Sequence, residues 1–372
     1  MRGVLKALVL SAGLAGLAAA HADDPPALPP SLGEAVARDD TGAAVEGRSA
    51  ADSAMARSLR AAMLEDWDGA LTYAETAAAA GQPAGALMAG HILLHGLSSR
   101  GQDDEAAVRW LRRAAERGDA DAMVTLSRLA SSERGGLTRF AARDWIARAA
   151  ETGDARAAHE YGLYLMEDGD PGDAQTAIDW LRLASESGRV QAYTDYAHAL
   201  GEWVHGPKDL TAARNWYEQA GENGVAYGAL MAASMHLNGE GEAADPERGA
   251  ALMQIAAELN QPAAMGQLAL LYYQGAPGLS ADPVRAARWA RRGAEAGDPE
   301  SQFLYAYALA TGDGTGRDLE RAYVWALRAG FDRPGSLKDD PDRNRLEAAL
   351  ERAIPTTRRE TLEAEAIAGA AG

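Results

Sequence analysis

The chain contains no cysteine in its 372 residues. That excludes disulfides, thiolate metal sites and a cysteine nucleophile. It also fits a protein exported to an oxidising compartment, where a stray thiol is a liability. Lysine is nearly missing too: only Lys6, Lys208 and Lys338 occur, so the basic side is almost all arginine. Positive charge is short overall, with 36 Lys and Arg against 54 Asp and Glu and a formal charge of −18. This balance argues against a nucleic-acid partner, because neutralising phosphates needs an excess of basic side chains. It argues equally against docking on an anionic membrane. The apolar run from Ala7 to Ala20 has 14 residues, too few to span a bilayer.

That run reads as a processing signal. Arg2 and Lys6 form a short positive region before it, and Ala20-His21-Ala22 gives a small-x-small cleavage pattern. The expectation is a signal peptide over residues 1–22, cut after Ala22, and a mature protein that is periplasmic or secreted and not inserted in a membrane. A bacterial lipoprotein would need a cysteine at the cut, so an anchor of that kind is excluded. Residues 23–48 are rich in Ala, Asp, Gly and Pro, including "DDPPALPP", and read as a flexible N-terminal arm.

What the chain does have is one phrase written many times. "WLRRAAERGDADAM" from Trp110 is echoed by "WIARAAETGDARAA" from Trp145, "WLRLASESGRVQAY" from Trp180 and "WARRGAEAGDPESQ" from Trp289. With the leading aromatic as anchor, the register runs Tyr73, Trp110, Trp145, Trp180, Trp216, Leu252, Trp289 and Trp325, at spacings of 35 to 37 residues. Eight residues after the anchor stand Gly81, Gly118, Gly153, Gly188, Gly224, Asn260 and Gly297, residue types that end a helix in the left-handed region. Three before it stand alanines or Gly249, which let another helix approach closely. Seven before it stand Asp66, Asp103, Thr138, Asp173, Asp209, Asp245, Asp282 and Asp318, all good N-cap types. Each unit therefore holds a capped helix with the small residue and the aromatic on one face. After the glycine, Ala122, Ala157, Ala192 and Ala264 are each followed four residues later by Leu or Tyr, which is helical spacing again. The unit is a pair of antiparallel helices that can bury its apolar face only by stacking on its neighbours.

This unit resembles the Sel-one-like repeat, a relative of the tetratricopeptide repeat. "NGEGEAADPERGAAL" from Asn238 and "TGDGTGRDLERAYVW" from Thr311 carry the likeness most closely. Departures exist: the family's Leu-Gly dipeptide is mostly lost, Leu126 being followed by Ser127, and Leu252 replaces a tryptophan. The resemblance implies an all-α, right-handed superhelical solenoid of about eight helix pairs over residues 49–332, with a concave inner face. Residues 333–372 would then close it with two charged amphipathic helices, "NRLEAALERAI" and "PTTRRETLEAEAIAG". It also implies an adaptor that binds other proteins, in envelope signalling or polysaccharide secretion.

No catalytic pattern stands out: Gly-x-Ser-x-Gly, Ser-x-x-Lys, His-Glu-x-x-His and the Walker loop are all missing. We expect no enzyme, no cofactor and no metal. "GDGTG" is a repeat loop rather than a phosphate cradle. "EDGDPGD", residues 167–173, has alternating oxygen ligands but not the calcium-loop run, and reads as a solvated turn. His91 and His95 share a helix face without further ligands nearby in sequence. The tryptophans read as packing anchors, with Trp67 and Trp203 off-register.

By the resemblance, the first helix of each pair lines the groove. Its facing positions are mixed in the middle units: Asp121, Val124, Arg128, Arg156, His159, Gln191, Thr194 and His198. Toward the C-terminus they become Tyr227, Leu230, Leu270, Tyr273, Phe303 and Tyr307. Converging exposed aromatics are anchor material for a protein or peptide; the other reading is that they pack into the stack or under the closing helices. The acidity suggests a partner with basic patches. A reading from another class is a protein that binds or hydrolyses peptidoglycan or polysaccharide.

Overall fold

The computed structural model describes residues 28–30, 32, 50–331 and 335–369. The expected signal segment lies outside these residues, as does most of the arm. Within the arm, Leu32 is fully buried, and its N–H donates to the Pro29 carbonyl at 2.9 Å. Among the described residues the chain is helical throughout, apart from an isolated antiparallel bridge between Ala276 and Leu279. It divides into two compact units, the boundary falling between Ala192 and Tyr193.

The first unit contains α1 (Ala50–Met63), α2 (Trp67–Ala79), α3 (Pro83–His95), α4 (Asp104–Ala115), α5 (Ala120–Ser131), α6 (Ala141–Glu151), α7 (Ala155–Asp168), a 3₁₀ turn (Pro171–Asp173) and α8 (Ala174–Glu186). Helix α9 (Val190–Gly201) begins just before the boundary. The second unit continues with α10 (Leu210–Glu222), α11 (Ala226–Asn238), α12 (Pro246–Glu258), α13 (Pro262–Gln274), α14 (Pro283–Glu295), α15 (Pro299–Thr311) and α16 (Leu319–Ala329). Two further helices, α17 (Pro341–Ala353) and α18 (Thr356–Ala368), follow as the closing pair. Within each unit a helix packs chiefly on the next in the chain: α3 on α4, α5 on α6 and α7 on α8 in the first, α11 on α12, α13 on α14 and α15 on α16 in the second. This is an α-solenoid built of helix pairs.

Local chemistry explains the period. Gly81, Gly118, Gly153, Gly188, Gly224, Asn260 and Gly297 all have positive φ, between 64° and 91°, as their register requires. Six of the eight expected caps hold: the carboxylates of Asp66, Asp103, Asp209, Asp245, Asp282 and Asp318 accept N–H bonds from the first turn. Two do not. Thr138 is bypassed because α6 starts at Ala141 with Phe140 as its cap residue. Asp173 ends the 3₁₀ turn and instead pairs with Arg143 at 2.8 Å. A second set of caps opens the first helices of pairs: Asp119, Asp154 and Asp298 accept from Ala122, Ala157 and Ser301.

The core of the stack is alanine against leucine. Ala107, Ala142, Ala177, Ala213 and Ala322, all three before an anchor, are at most 1% exposed. At Ala107, Ala142 and Ala177, as at Ala70, the carbonyl meets a small residue on the preceding helix. Ser58 Oγ donates to Ala70 O at 2.7 Å, and Ser127 Oγ donates to Ala142 O at 2.8 Å. The Ser that replaces the family's Gly after Leu126 is therefore satisfied where it is buried. At the equivalent Gly162 a Cβ would come within 2.7 Å of Leu181 Cγ, so only a small residue fits this contact.

The six tryptophan anchors are half-buried rather than central, whereas Tyr73 is exposed and Leu252 fully buried. Tyr161 meets Trp180 with ring centroids 5.8 Å apart, and Tyr305 meets Trp325 at 5.9 Å. Their outer faces carry arginine: Arg113, Arg148, Arg292 and Arg328 lie over Trp110, Trp145, Trp289 and Trp325 at 4.5 to 5.0 Å. Off-register Trp203 proves to be buried, edge-on to His205. At the C-terminal end, Leu350, Ile354, Leu362 and Ala366 of the closing pair pack with Tyr323 and Val324. Arg343 Nε donates to Ala326 O at 3.0 Å and its guanidinium lies against Gly330, where a Cβ would collide with it. That contact explains the early glycine after Trp325.

Candidate functional site

The first-helix positions differ in character between the two units. In the first unit they are largely occupied by each other. Asp121, 5% exposed, accepts from Arg156 Nη2. Arg156 also approaches Glu160 at 3.8 Å, and Glu160 takes Arg128 at 2.8 Å. Arg189 Nε donates to His159 Nδ1 at 3.1 Å, which fixes that ring nitrogen as an acceptor. Val124 is buried. The carboxyl of Asp119 is pushed up by burial, against its cap bond to Ala122 and the pull of Arg156. Such a ladder leaves few free polar groups for a ligand.

The second unit offers rings instead. Tyr273 of α13 and Tyr307 of α15 stand perpendicular with centroids 6.0 Å apart, and their helices pack directly on one another. The Tyr273 hydroxyl donates to Asp313 Oδ2 at 3.3 Å. Loss of water, then the neighbouring Tyr307 and Asp313, pushes that phenol up to about 12, so it stays a neutral donor at physiological pH. Phe303 and Leu270, from the same two helices, are half-buried, as are both tyrosines. Tyr227 is half-buried too, but its partner is Tyr217, edge-on at 6.2 Å. Tyr217, one residue past the anchor Trp216, is itself buried and donates to Glu202 Oε1 at 2.8 Å. Leu230 faces inward and packs in the core. Of the six expected positions, two are thus brought into contact, three more keep accessible apolar surface, and one is packing.

The remaining candidates are accounted for locally. His91 is buried and its ring lies 4.6 Å from that of His95. In the 167–173 loop, Gly169 ends α7 in the left-handed region, Asp170 accepts from Gly172 N–H and Asp173 pairs with Arg143. Among the described residues no group of three or more His, Asp and Glu is placed to hold a metal ion. Among them, too, no helix is long and apolar enough to cross a membrane.

Comparisons with known proteins agree with this architecture. A family model for the Sel1 repeat matches residues 83–119, 155–188, 192–225, 226–261, 262–298 and 299–330. Among solved structures, a Sel1 repeat protein from Oxalobacter formigenes is similar at 20% identity and a TM-score of 0.61, over 90% of this chain and 91% of that one. A protective antigen of uropathogenic Escherichia coli with an SLR fold is similar at 19% identity and a TM-score of 0.52, over 81% of this chain and 79% of that one. No curated protein matches the chain significantly.

Proposed function

This chain belongs to the Sel1 repeat family, and from that premise we propose that it is an exported, non-enzymatic adaptor that seats a partner segment on the aromatic wall of its second unit. Sel1 repeat proteins are generally protein–protein interaction scaffolds, and the fold is typically non-catalytic. The observation that carries the specific reading is the Tyr273–Tyr307 pair, flanked by Phe303 and Leu270, half-open to water on α13 and α15. Rigid aromatic surface with hydroxyl donors at its edge is the kind of surface where interface energy concentrates. Tyr227 of α11 adds a further half-buried ring in the same unit.

The partner is a protein segment with apolar side chains for the wall and basic residues beside it. A formal charge of −18 and Asp313 at the wall's edge favour cations, so association should weaken as salt is raised. The expected compartment is the periplasm or the cell exterior, with envelope signalling or polysaccharide secretion as the setting.

Crosslinking in intact cells tests the reading. The full chain should capture one or a few envelope proteins, and Tyr273→Ala with Phe303→Ala should lose them while the protein stays folded. Capture that survives the double substitution would place the partner elsewhere. Binding that is identical at low and high salt would remove the electrostatic element.

A further inference from the structure

The accessible stripe of α15 carries a single charge. Glu300, Phe303 and Tyr307 stand at i, i+3 and i+7, hence on one face, and all three are half-buried. Ser301, Gln302, Tyr305, Ala306, Ala308 and Leu309 are buried behind them. The neighbouring first helices add no charge to this face. Helices α11 and α13 contain no Asp, Glu, Lys or Arg, and α15 contains Glu300 alone. Charge in this unit is carried by the second helices instead: α14 has Arg285, Arg288, Arg291, Arg292 and Glu295. In a chain that is 24% charged, one carboxylate on three consecutive first helices is set apart from any solvated charged face.

Among the described residues no base is placed against that carboxylate. Helix α13 has none to offer. On α14, Arg291 is held by Glu295 at 2.7 Å and Arg292 lies over Trp289. On α16, Arg321 donates to the Tyr305 hydroxyl at 3.3 Å and Arg328 lies over Trp325. On α17, Arg343 is held by Glu347 at 2.6 Å. The charges that act on Glu300 are both negative: Asp298, the cap of its own helix, and Asp340, the cap of α17. A half-buried carboxylate among like charges is poorly satisfied by the chain itself, and a cation from outside would relieve it.

We propose that Glu300 is the specificity-determining residue of the aromatic wall: a Lys or Arg side chain of the partner segment seats on its carboxylate while adjoining apolar side chains cover Phe303 and Tyr307. This assignment rests on the reading of that wall as the partner's seat, and it names the group that selects the cation. An ion pair beside apolar surface is less screened than one at a wet rim, so a neutral segment of the same shape is rejected. The grip also depends on pH. Burial first, then Asp298 and Asp340, push the Glu300 carboxyl up to about 7. The anion that holds the cation is present above that pH and is lost as pH falls through it. A bound cation pulls the carboxyl back down, so the complex lets go at a lower pH than the one at which the free site charges.

The test pans a random peptide phage library on the full chain at pH 8. Clones whose binding is abolished by Tyr273→Ala with Phe303→Ala are kept, and those free of histidine are made as fluorescein-labelled peptides and read by anisotropy. They should hold a Lys or Arg beside aromatic or aliphatic residues. Glu300→Gln should weaken them about tenfold at pH 8. Wild type should bind them about tenfold more weakly at pH 5 than at pH 8, and the variant should show no such drop. Norleucine in place of the basic residue should reproduce both results on wild type. Glu295→Gln, an exposed carboxylate on α14, should change nothing. The assignment is overturned if the kept peptides lack a basic residue, if Glu300→Gln binds them as wild type does or keeps the pH dependence, or if Glu295→Gln weakens them equally. The wall reading survives each of these, because the peptides were chosen for their dependence on Tyr273 and Phe303. If no clone depends on those rings, the wall reading fails and the role of Glu300 falls with it.

Discussion

Glu300 should make the second unit more stable in acid than in base. It sits in the first turn of α15, two residues after the cap Asp298, and is half-buried. Burial first, then the charges of Asp298 and Asp340, push its carboxyl up to about 7 from an ordinary 4.5. The folded state therefore keeps a proton that the unfolded chain has already released in that interval. The stabilising contribution is fully present below about pH 4.5 and is lost as pH rises through about 7. At ~1.4 kcal/mol per pH unit the interval corresponds to at most roughly 3 kcal/mol, and partial access to water brings the expected effect to about 1–2 kcal/mol. Glu300→Gln keeps the shape and holds the side chain neutral at every pH. Hydrogen exchange of α15 and α16 amides in urea, at pH 4 and pH 8, reads the local opening free energy without assuming that the whole array unfolds at once. The two proteins should match at pH 4, with the variant more stable by about 1–2 kcal/mol at pH 8. Parallel behaviour across the range, or a variant weakened at pH 8, would refute the reasoning.

The caps give a paired prediction: Asp209→Ala, which removes the bond to Ala212 N–H, should cost about 1 kcal/mol in urea unfolding of the second unit. Thr138→Ala makes the same kind of change at the same register position in the first unit and should cost almost nothing, because its side chain caps no helix. Asp121→Ala leaves the mostly buried Arg156 only its longer contact to Glu160 and should destabilise the first unit by about 2 kcal/mol, measured as a lower urea midpoint. Asp121→Leu with Arg156→Met should recover most of that loss, since an apolar pair of similar size needs no partner charge.

Much of this architecture was legible in the sequence because the repeat writes its punctuation openly. A positive φ needs glycine or asparagine, and a free helix start needs a short oxygen-bearing side chain, so both recur at fixed places. Thr138 and Asp173 depart because the connections before α6 and α8 are irregular, ending in a bend at Phe140 and a 3₁₀ turn. The caps at Asp119, Asp154 and Asp298 went unread, although each is an acidic residue just after the corner glycine and three before a small residue. Leu230 was misplaced because register locates a residue on a face but does not say how deeply the neighbouring helix overlaps it. Trp203 is similar: nothing in the repeat predicts what a loop between pairs will cover.

The corners at Gly224 and Asn260 have the same handedness of turn, and each leads through one residue to the next helix. Cutting out residues 225–260 would join Gly224 to Gln261, and the splice would meet stereochemistry it already satisfies. Length in such a chain is therefore adjustable: whole pairs can be lost or copied in descent, and reach can change between kin without redesign of any surviving contact.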